Sequence, residues 1–261
     1  MENLIDSHVH ITDNGKWMKT TKDASLQRLI KEMKLASVRK AILIAVDGLI
    51  PNEFIYKMYQ ENKDLFVPFC SINPITTSIT NFQEIIKKGE FIGIKIHPRL
   101  QNFSLKDRRV IDFFKNVESI PNFLLLLDCW FSEKDPYNII EETINFVNSF
   151  KKLKIILAHA GGFYFDSIMP LLIKNNILID LSYTPLILKK YNEAKYNEFF
   201  AILKKSNLNK VLFGSDFPEF SIKECVDFFK TTFNNFNFSE SDQEKIFHKN
   251  IEELLNKIIK E

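Results

Sequence analysis

The sequence predicts a (β/α)8 barrel of the TIM type, one domain over residues 1–261 with an extra C-terminal helix. Eight short apolar runs alternate with longer amphipathic segments. The runs are near-continuous Ile, Leu, Val and Phe, the pattern of parallel strands buried on both faces. An open doubly wound sheet is the alternative. It would carry a Gly-rich phosphate loop after its first strand, where this chain has His8-Val9-His10.

Taken in order, strand 1 is expected over about 3–9, followed by a polar loop over about 11–23 that carries Trp17. Leu26, Leu29, Ile30 and Met33 have helical spacing and mark helix 1. VRKAILIAV at 38–46 reads as strand 2, and Pro51 fits the first turn of helix 2, which runs to about Lys63. LFVPFCSI at 65–72 is strand 3, with helix 3 near 79–88. FIGIKIH at 91–97 is strand 4, stopped by Pro98, with helix 4 near 106–117. NFLLLLDC at 122–129 is strand 5, with helix 5 near 137–150. LKIILAH at 153–159 is strand 6, closed by Gly161-Gly162, with helix 6 after it. ILIDLS at 177–182 is strand 7, with helix 7 within 190–205. KVLF at 210–213 is strand 8, with helix 8 near 221–232. A last helix over about 239–260 is capped by a serine and has apolar spacing from Ile246 to Ile258.

A chain of 261 residues, 45% hydrophobic and 26% charged, has ample material for one large core. The formal net charge of +2 gives no electrostatic case for a nucleic-acid or membrane partner. Cys70, Cys129 and Cys225 are widely spaced and form no disulfide framework or CxxC site, so a reducing cytoplasm is expected. No basic segment precedes an apolar one at the N-terminus, so no signal peptide is expected. No apolar stretch approaches the roughly 20 residues of a membrane-spanning helix.

The polar residues concentrate at strand ends. In an extended strand, alternate side chains share a face, so His8 and His10 project together from strand 1. Two adjacent neutral imidazoles begin a transition-metal site, although a bare His-x-His suits surface or capping histidines equally well. Four of the five histidines (His8, His10, His97 and His159) fall at C-terminal strand ends, which form the active-site face of a parallel barrel. Only His248 lies elsewhere, on the last helix, where packing or surface exposure explains it. Asp128 ends strand 5 and Asp216 follows strand 8, adding two carboxylates to the ring. In strand 4, Gly93, Lys95 and His97 share one face, expected toward the lumen. Ile92, Ile94 and Ile96 share the other, expected toward the helices. Trp17, Trp130, Phe163 and Tyr183 either line the mouth or pack in the loops.

These segments resemble the amidohydrolase superfamily, in particular its amidohydrolase-2 branch of metal-dependent hydrolases and aminocarboxymuconate-semialdehyde-type decarboxylases. The matching stretches are DSHVH at 6–10, GIKIHPRLQNFSLKD at 93–107, LKIILAHAGG at 153–162, IDLS at 179–182, GSDFP at 214–218 and KIFHKNIEELL at 245–255. The resemblance implies that His8 and His10 are metal ligands. It implies that Asp216 is a ligand and accepts the proton of the attacking water. It implies that His159 orients that water or polarises the substrate. Where the branch usually ends strand 5 with a histidine ligand, this chain has Asp128. Asp128 is therefore expected either as an oxygen ligand or as the mark of a weakened metal site. Lys95 stands where some superfamily members carbamylate a lysine. In the GIKIHP context, Lys95, His97 and Arg99, with Trp130, are instead expected to contact the substrate. A related deoxyribonuclease group shares the His-x-His start, but its strand-4 glutamate is missing here.

The expectation is a hydrolase of a small ester, lactone or amide, using one divalent metal ion, Zn²⁺ or alternatively Mn²⁺. The runner-up is a metal-dependent decarboxylase or hydratase of an unsaturated carboxylic acid. A ligand-binding barrel with an impaired metal site is the third reading. The expected partner is a small anionic substrate, and a homodimer is the assembly to consider.

Overall fold

Each apolar run pairs with the next, so every strand satisfies its backbone on two sides. The structure is a computed structural model that describes residues 3–259. Its strands are β1 (Leu4–Val9), β2 (Val38–Ile44), β3 (Phe66–Ser71), β4 (Gly93–Ile96), β5 (Leu124–Asp128), β6 (Lys154–Ala158), β7 (Ile177–Asp180) and β8 (Val211–Leu212). They form one parallel sheet in sequence order. The chain just past β8 brings the ends of the sheet together. The Ser7 N–H donates to the Phe213 carbonyl at 2.9 Å, and the His10 N–H donates to that of Phe217 at 2.7 Å. The Asp216 N–H donates to the His8 carbonyl at 3.0 Å, which draws two candidate site residues onto neighbouring backbones.

The period of two sorts the side chains. Leu124 and Leu126 join Ile5, Ile42 and Ile156 inside the barrel, whereas Leu125 and Leu127 pack among the helices. Ile94 and Ile96 also face the helices. Ile92, expected with them, packs against the interior instead. It precedes β4, and regular alternation begins only at Gly93. A Cβ at Gly93 would stand 2.5 Å from the Phe69 ring, so glycine leaves room for that ring inside the barrel.

The helices are α1 (Leu26–Leu35), α2 (Asn52–Glu61), α3 (Ile79–Gly89), α4 (Arg108–Val117), α5 (Tyr137–Asn148), α6 (Phe165–Ile168), α7 (Thr184–Tyr191), α8 (Glu193–Lys205), α9 (Ile222–Asn235), α10 (Glu240–Glu244) and α11 (Asn250–Ile259). Ser25, Ser78 and Asp107 cap α1, α3 and α4 by accepting from first-turn N–H groups. In α4, Val110, Phe113, Phe114 and Val117 form the buried stripe.

Four expected elements differ from the structure. Helix 6 is a short α6 between 3₁₀ turns, because Ala160, Gly161 and Gly162 leave helical backbone angles. Helix 7 is two helices. Asn192 ends α7 and caps α8, its side chain accepting from the Lys195 N–H at 3.1 Å. Strand 8 is only two residues long. The last helix is broken by a π-helical turn at Lys245–Lys249. Ser239 caps α10 as expected, and the expected final residue, Lys260, lies outside the described residues.

The π turn and the short strand support each other. The Phe213 N–H donates to the Ile246 carbonyl at 2.9 Å. The Asn250 amide donates to the Leu208 and Val211 carbonyls at 2.7 and 2.8 Å. Ile251, Leu254 and Leu255 of α11 then complete the interior cluster. Among the described residues, no helix is long and apolar enough to cross a membrane.

Candidate active site

His8 lies in β1 and His10 one residue past it, both buried. His8 Nδ1 is 3.0 Å from Asp180 Oδ2 and donates to it. Its Nε2 has no hydrogen-bond partner among the described residues and stands 3.5 Å from Asp216 Oδ1. His10 Nδ1 is 3.1 Å from the Ile44 carbonyl. A carbonyl only accepts, so Nδ1 carries the proton and Nε2 keeps its lone pair. Burial pushes the proton affinity of His8 down and that of His10 far down, so both rings are held neutral. The ring centroids lie 5.1 Å apart. Trp17 stacks on His10, and its indole N–H donates to Glu219 at 3.1 Å.

The loops after β6, β7 and β8 each place a residue in the left-handed region: His159 at φ 62°, Tyr183 at 65° and Asp216 at 60°. Such strain costs about 1–3 kcal/mol for a non-glycine residue and persists only where neighbours impose it. The Asp216 N–H is held by His8. The His159 N–H donates to Asp180 Oδ1 at 3.0 Å, and the Thr184 hydroxyl donates to the His159 carbonyl. The outcome is that one ligand atom each from His8, His159 and Asp216 lies within 4.8 Å of the others.

A second cluster surrounds Asp128. Its carboxylate lies 3.2 Å from His159 Nε2, 3.4 Å from His97 Nε2, 3.6 Å from Lys95 Nζ and 3.4 Å from Arg99 Nη2. Burial acts to raise the proton affinity of Asp128. His97, Lys95 and His159 outweigh burial and hold it well below the usual carboxylate range. Burial pushes His97 down to about 4. For His159 burial also lowers the value, but the hydrogen bond to Asp128 and the charge of Asp216 lift it above its ordinary range. His159 Nδ1 lies 2.9 Å from the Ser182 hydroxyl.

His8, His10, Lys95, His97, Arg99, Asp128, Trp130, His159 and Asp216 all line one cavity of about 290 Å³, together with Trp17 and Tyr183. Phe163 does not line it but meets the edge of Trp130 at 5.8 Å. Two residues expected as ligands, His10 and Asp128, stand outside the three-donor group. Asp128 faces nitrogen bases instead, which supply its counter-charge. His159, expected beside the ion, is the group's third member.

Sequence reasoning assigned no role to Asp180, which is wholly buried and braces His8, His159 and Ser182 at once. The available signal was parity. Asp180 shares the lumen face of β7 with Leu178, an unusual place for an acid.

A family model described as Amidohydrolase matches residues 5–257. No curated protein matches the chain in sequence. Solved structures similar in fold include an uncharacterized TIM-barrel protein from Bordetella bronchiseptica, 16% identical, with TM-score 0.78 over 98% of this chain and 99% of that one. A probable 2-pyrone-4,6-dicarboxylic acid hydrolase from Acinetobacter baumannii, crystallised with citric acid, is 19% identical with TM-score 0.73 over 97% and 99%. The 2,6-dihydroxybenzoate decarboxylase from Rhizobium is 16% identical with TM-score 0.69 over 98% and 99%.

Proposed function

Because this chain belongs to the amidohydrolase family, matched over residues 5–257, we propose that it is a metal-dependent hydrolase of a small ester, lactone or amide that carries an anionic group. The observation behind this reading is the unpartnered, buried His8 Nε2 beside Asp216, in a cavity that also holds a cationic cluster. A buried nitrogen without a partner is costly unless something binds it, and two neutral imidazoles with a carboxylate are the donors a divalent ion takes. His8 and Asp216 of the three-donor group would hold it, joined from outside that group by His10, whose Nε2 keeps its lone pair, because both ring nitrogens of His159 are engaged by Asp128 and Ser182. A nitrogen-rich set favours Zn²⁺ over Mn²⁺. When bound, such an ion supplies Lewis acidity, which activates water near neutral pH.

The chain's own groups do the rest. Asp216 accepts the proton of the attacking water and returns it to the leaving group. Asp128 keeps His159 a hydrogen-bond donor, and His159 stabilises the developing oxyanion. Lys95, His97 and Arg99, with Trp130, receive the anionic part of the substrate. The three buried free cysteines suit a reducing cytoplasm.

Of the residues that receive the anionic part, the basic Lys95 and Arg99 favour decarboxylation of an unsaturated carboxylic acid as the second reading, since they would hold the departing carboxylate. Metal analysis and a substrate panel test both. We expect roughly one equivalent of divalent ion and cleavage of carboxylate-bearing esters or lactones. CO₂ release without such cleavage selects the lyase, and metal-free protein that takes up no ion overturns both. Asp128→Asn is expected to retain the metal and lose turnover. Loss of the metal in that variant would make Asp128 a ligand.

A further inference from the structure

A second cavity, of about 370 Å³, adjoins the first and shares two lining residues with it, Arg99 and Asp128. Its chemistry differs. Phe103, Leu105, Phe131 and Ile139 give it an apolar wall, with Leu105 and Phe131 buried. Three of its polar groups, those of Ser104, Glu142 and Thr143, are already engaged. The Thr143 hydroxyl donates to the Ile139 carbonyl at 3.1 Å, and Glu142 accepts from the Ser104 hydroxyl at 2.5 Å. Arg99 is the one cation among the lining residues, and the Glu142 carboxylate makes the chamber unfavourable for a second anion.

Arg99 stands at the junction. Its guanidinium lies 3.4 Å from Asp128 and 3.6 Å from Asp135, both long for ion pairs, and its side chain is 39% exposed. With five N–H donors in a planar fork, it has donors to spare for a carboxylate. Lys95 and His97 face the same Asp128 from the main cavity.

From this juxtaposition we infer that the side chamber is a substrate subsite for an uncharged hydrocarbon substituent. The substrate is then a small carboxylate with an alkyl or aryl tail. Arg99 clamps the carboxylate where the cavities meet, and the tail lies against Phe103, Leu105, Phe131 and Ile139. The inference rests on the proposed role of the cationic residues and adds the part of the substrate they do not touch.

Calorimetric titration of the metal-loaded protein with straight-chain acids, acetate through octanoate, tests it without needing turnover. Affinity should rise roughly three- to fourfold per methylene as the chamber fills, then level off. Ile139→Trp, which fills the chamber from α5, should flatten the series while leaving the shortest acids unchanged. The milder Ile139→Phe should make it level off at a shorter chain, and guards against a Trp variant that fails to fold. Short acids that bind with no gain along the wild-type series overturn the subsite and leave the cationic reading standing. A gain that survives both variants puts the tail in the main cavity and also overturns it. If no acid binds, the cationic reading fails and the subsite fails with it.

Discussion

Asp6 is wholly buried two residues before His8. Its Oδ1 accepts from the His8 and Ser215 N–H groups at 3.1 and 3.0 Å, and its Oδ2 has no partner among the described residues. Burial pushes its proton affinity up to about 7, from an ordinary value of 3.8. Between those values the native chain binds a proton that the unfolded chain has lost. The stability contributed by Asp6 is therefore present below the lower value and disappears as pH rises through the upper one. Asp6→Asn keeps the Oδ1 acceptor and removes the ionisation. Urea unfolding of both proteins at pH 5 and pH 8 should show the variant gaining on the wild type as pH rises, by at most about 1.4 kcal/mol per pH unit within the window. The histidines whose proton affinity burial lowers act in the opposite direction. His97, pushed down to about 4, loses native stability as pH falls from about 6.5. That contribution is common to both proteins and cancels in the difference. A difference independent of pH would mean that Asp6 is ionised in the native state.

At the scale of the element, β8 is the weak member: two residues, tied to the rest of the chain largely from outside the ladder. Asn250 donates to carbonyls on either side of its start, and the π turn supplies the Ile246 carbonyl to Phe213. Asn250→Ala removes a donor from both carbonyls, of which that of Leu208 keeps the Val211 N–H, and should cost about 1–3 kcal/mol, read as a lower midpoint in thermal or denaturant unfolding. Because β8 leads directly into Asp216, a matching fall in metal affinity is expected, and unchanged affinity would separate the strand from the site. The same elements show what is legible in a sequence. Lys95, Leu126 and Asp128 could be placed because a strand repeats every two residues and a lumen tolerates few side-chain types. His8, His10, His97 and His159 could be placed because rare residues at strand ends stand out. The hinge at His159–Gly162 could not, since a left-handed histidine followed by a left-handed alanine has no local signature and is imposed by Asp180 and Thr184 from the next strand and helix. Asn192 was readable as a cap but was absorbed into one long helix. That Asp128 stands among Lys95, His97, Arg99 and His159 and is not itself one of the three donors depends on loop positions that no spacing rule sets.

For the whole molecule, the barrel divides its labour between its two ends. The C-terminal ends of the strands carry the cavity and its ionisable groups. The interior between and below them is apolar, and α11 contributes Ile251, Leu254 and Leu255 to it. Ile251 has no exposed surface and packs in one cluster with Ile5 and Leu124, residues at the starts of β1 and β5, the strands that lead to His8 and Asp128. Truncating it opens a cavity among side chains that cannot all relax inward, so Ile251→Ala should cost about 2–5 kcal/mol. The cost should appear as a shift of the whole unfolding transition, because the interior cluster joins strands from around the ring. The folded fraction should bind metal as the wild type does, since the substitution lies at the opposite end of the strands from His8 and Asp216. Denaturant unfolding followed by circular dichroism, paired with metal titration below the transition, measures both quantities. A lowered midpoint with wild-type metal affinity makes α11 a support for the scaffold alone. Weakened metal binding while the chain is still fully folded would instead mean that packing at the closed end sets the geometry of the open one.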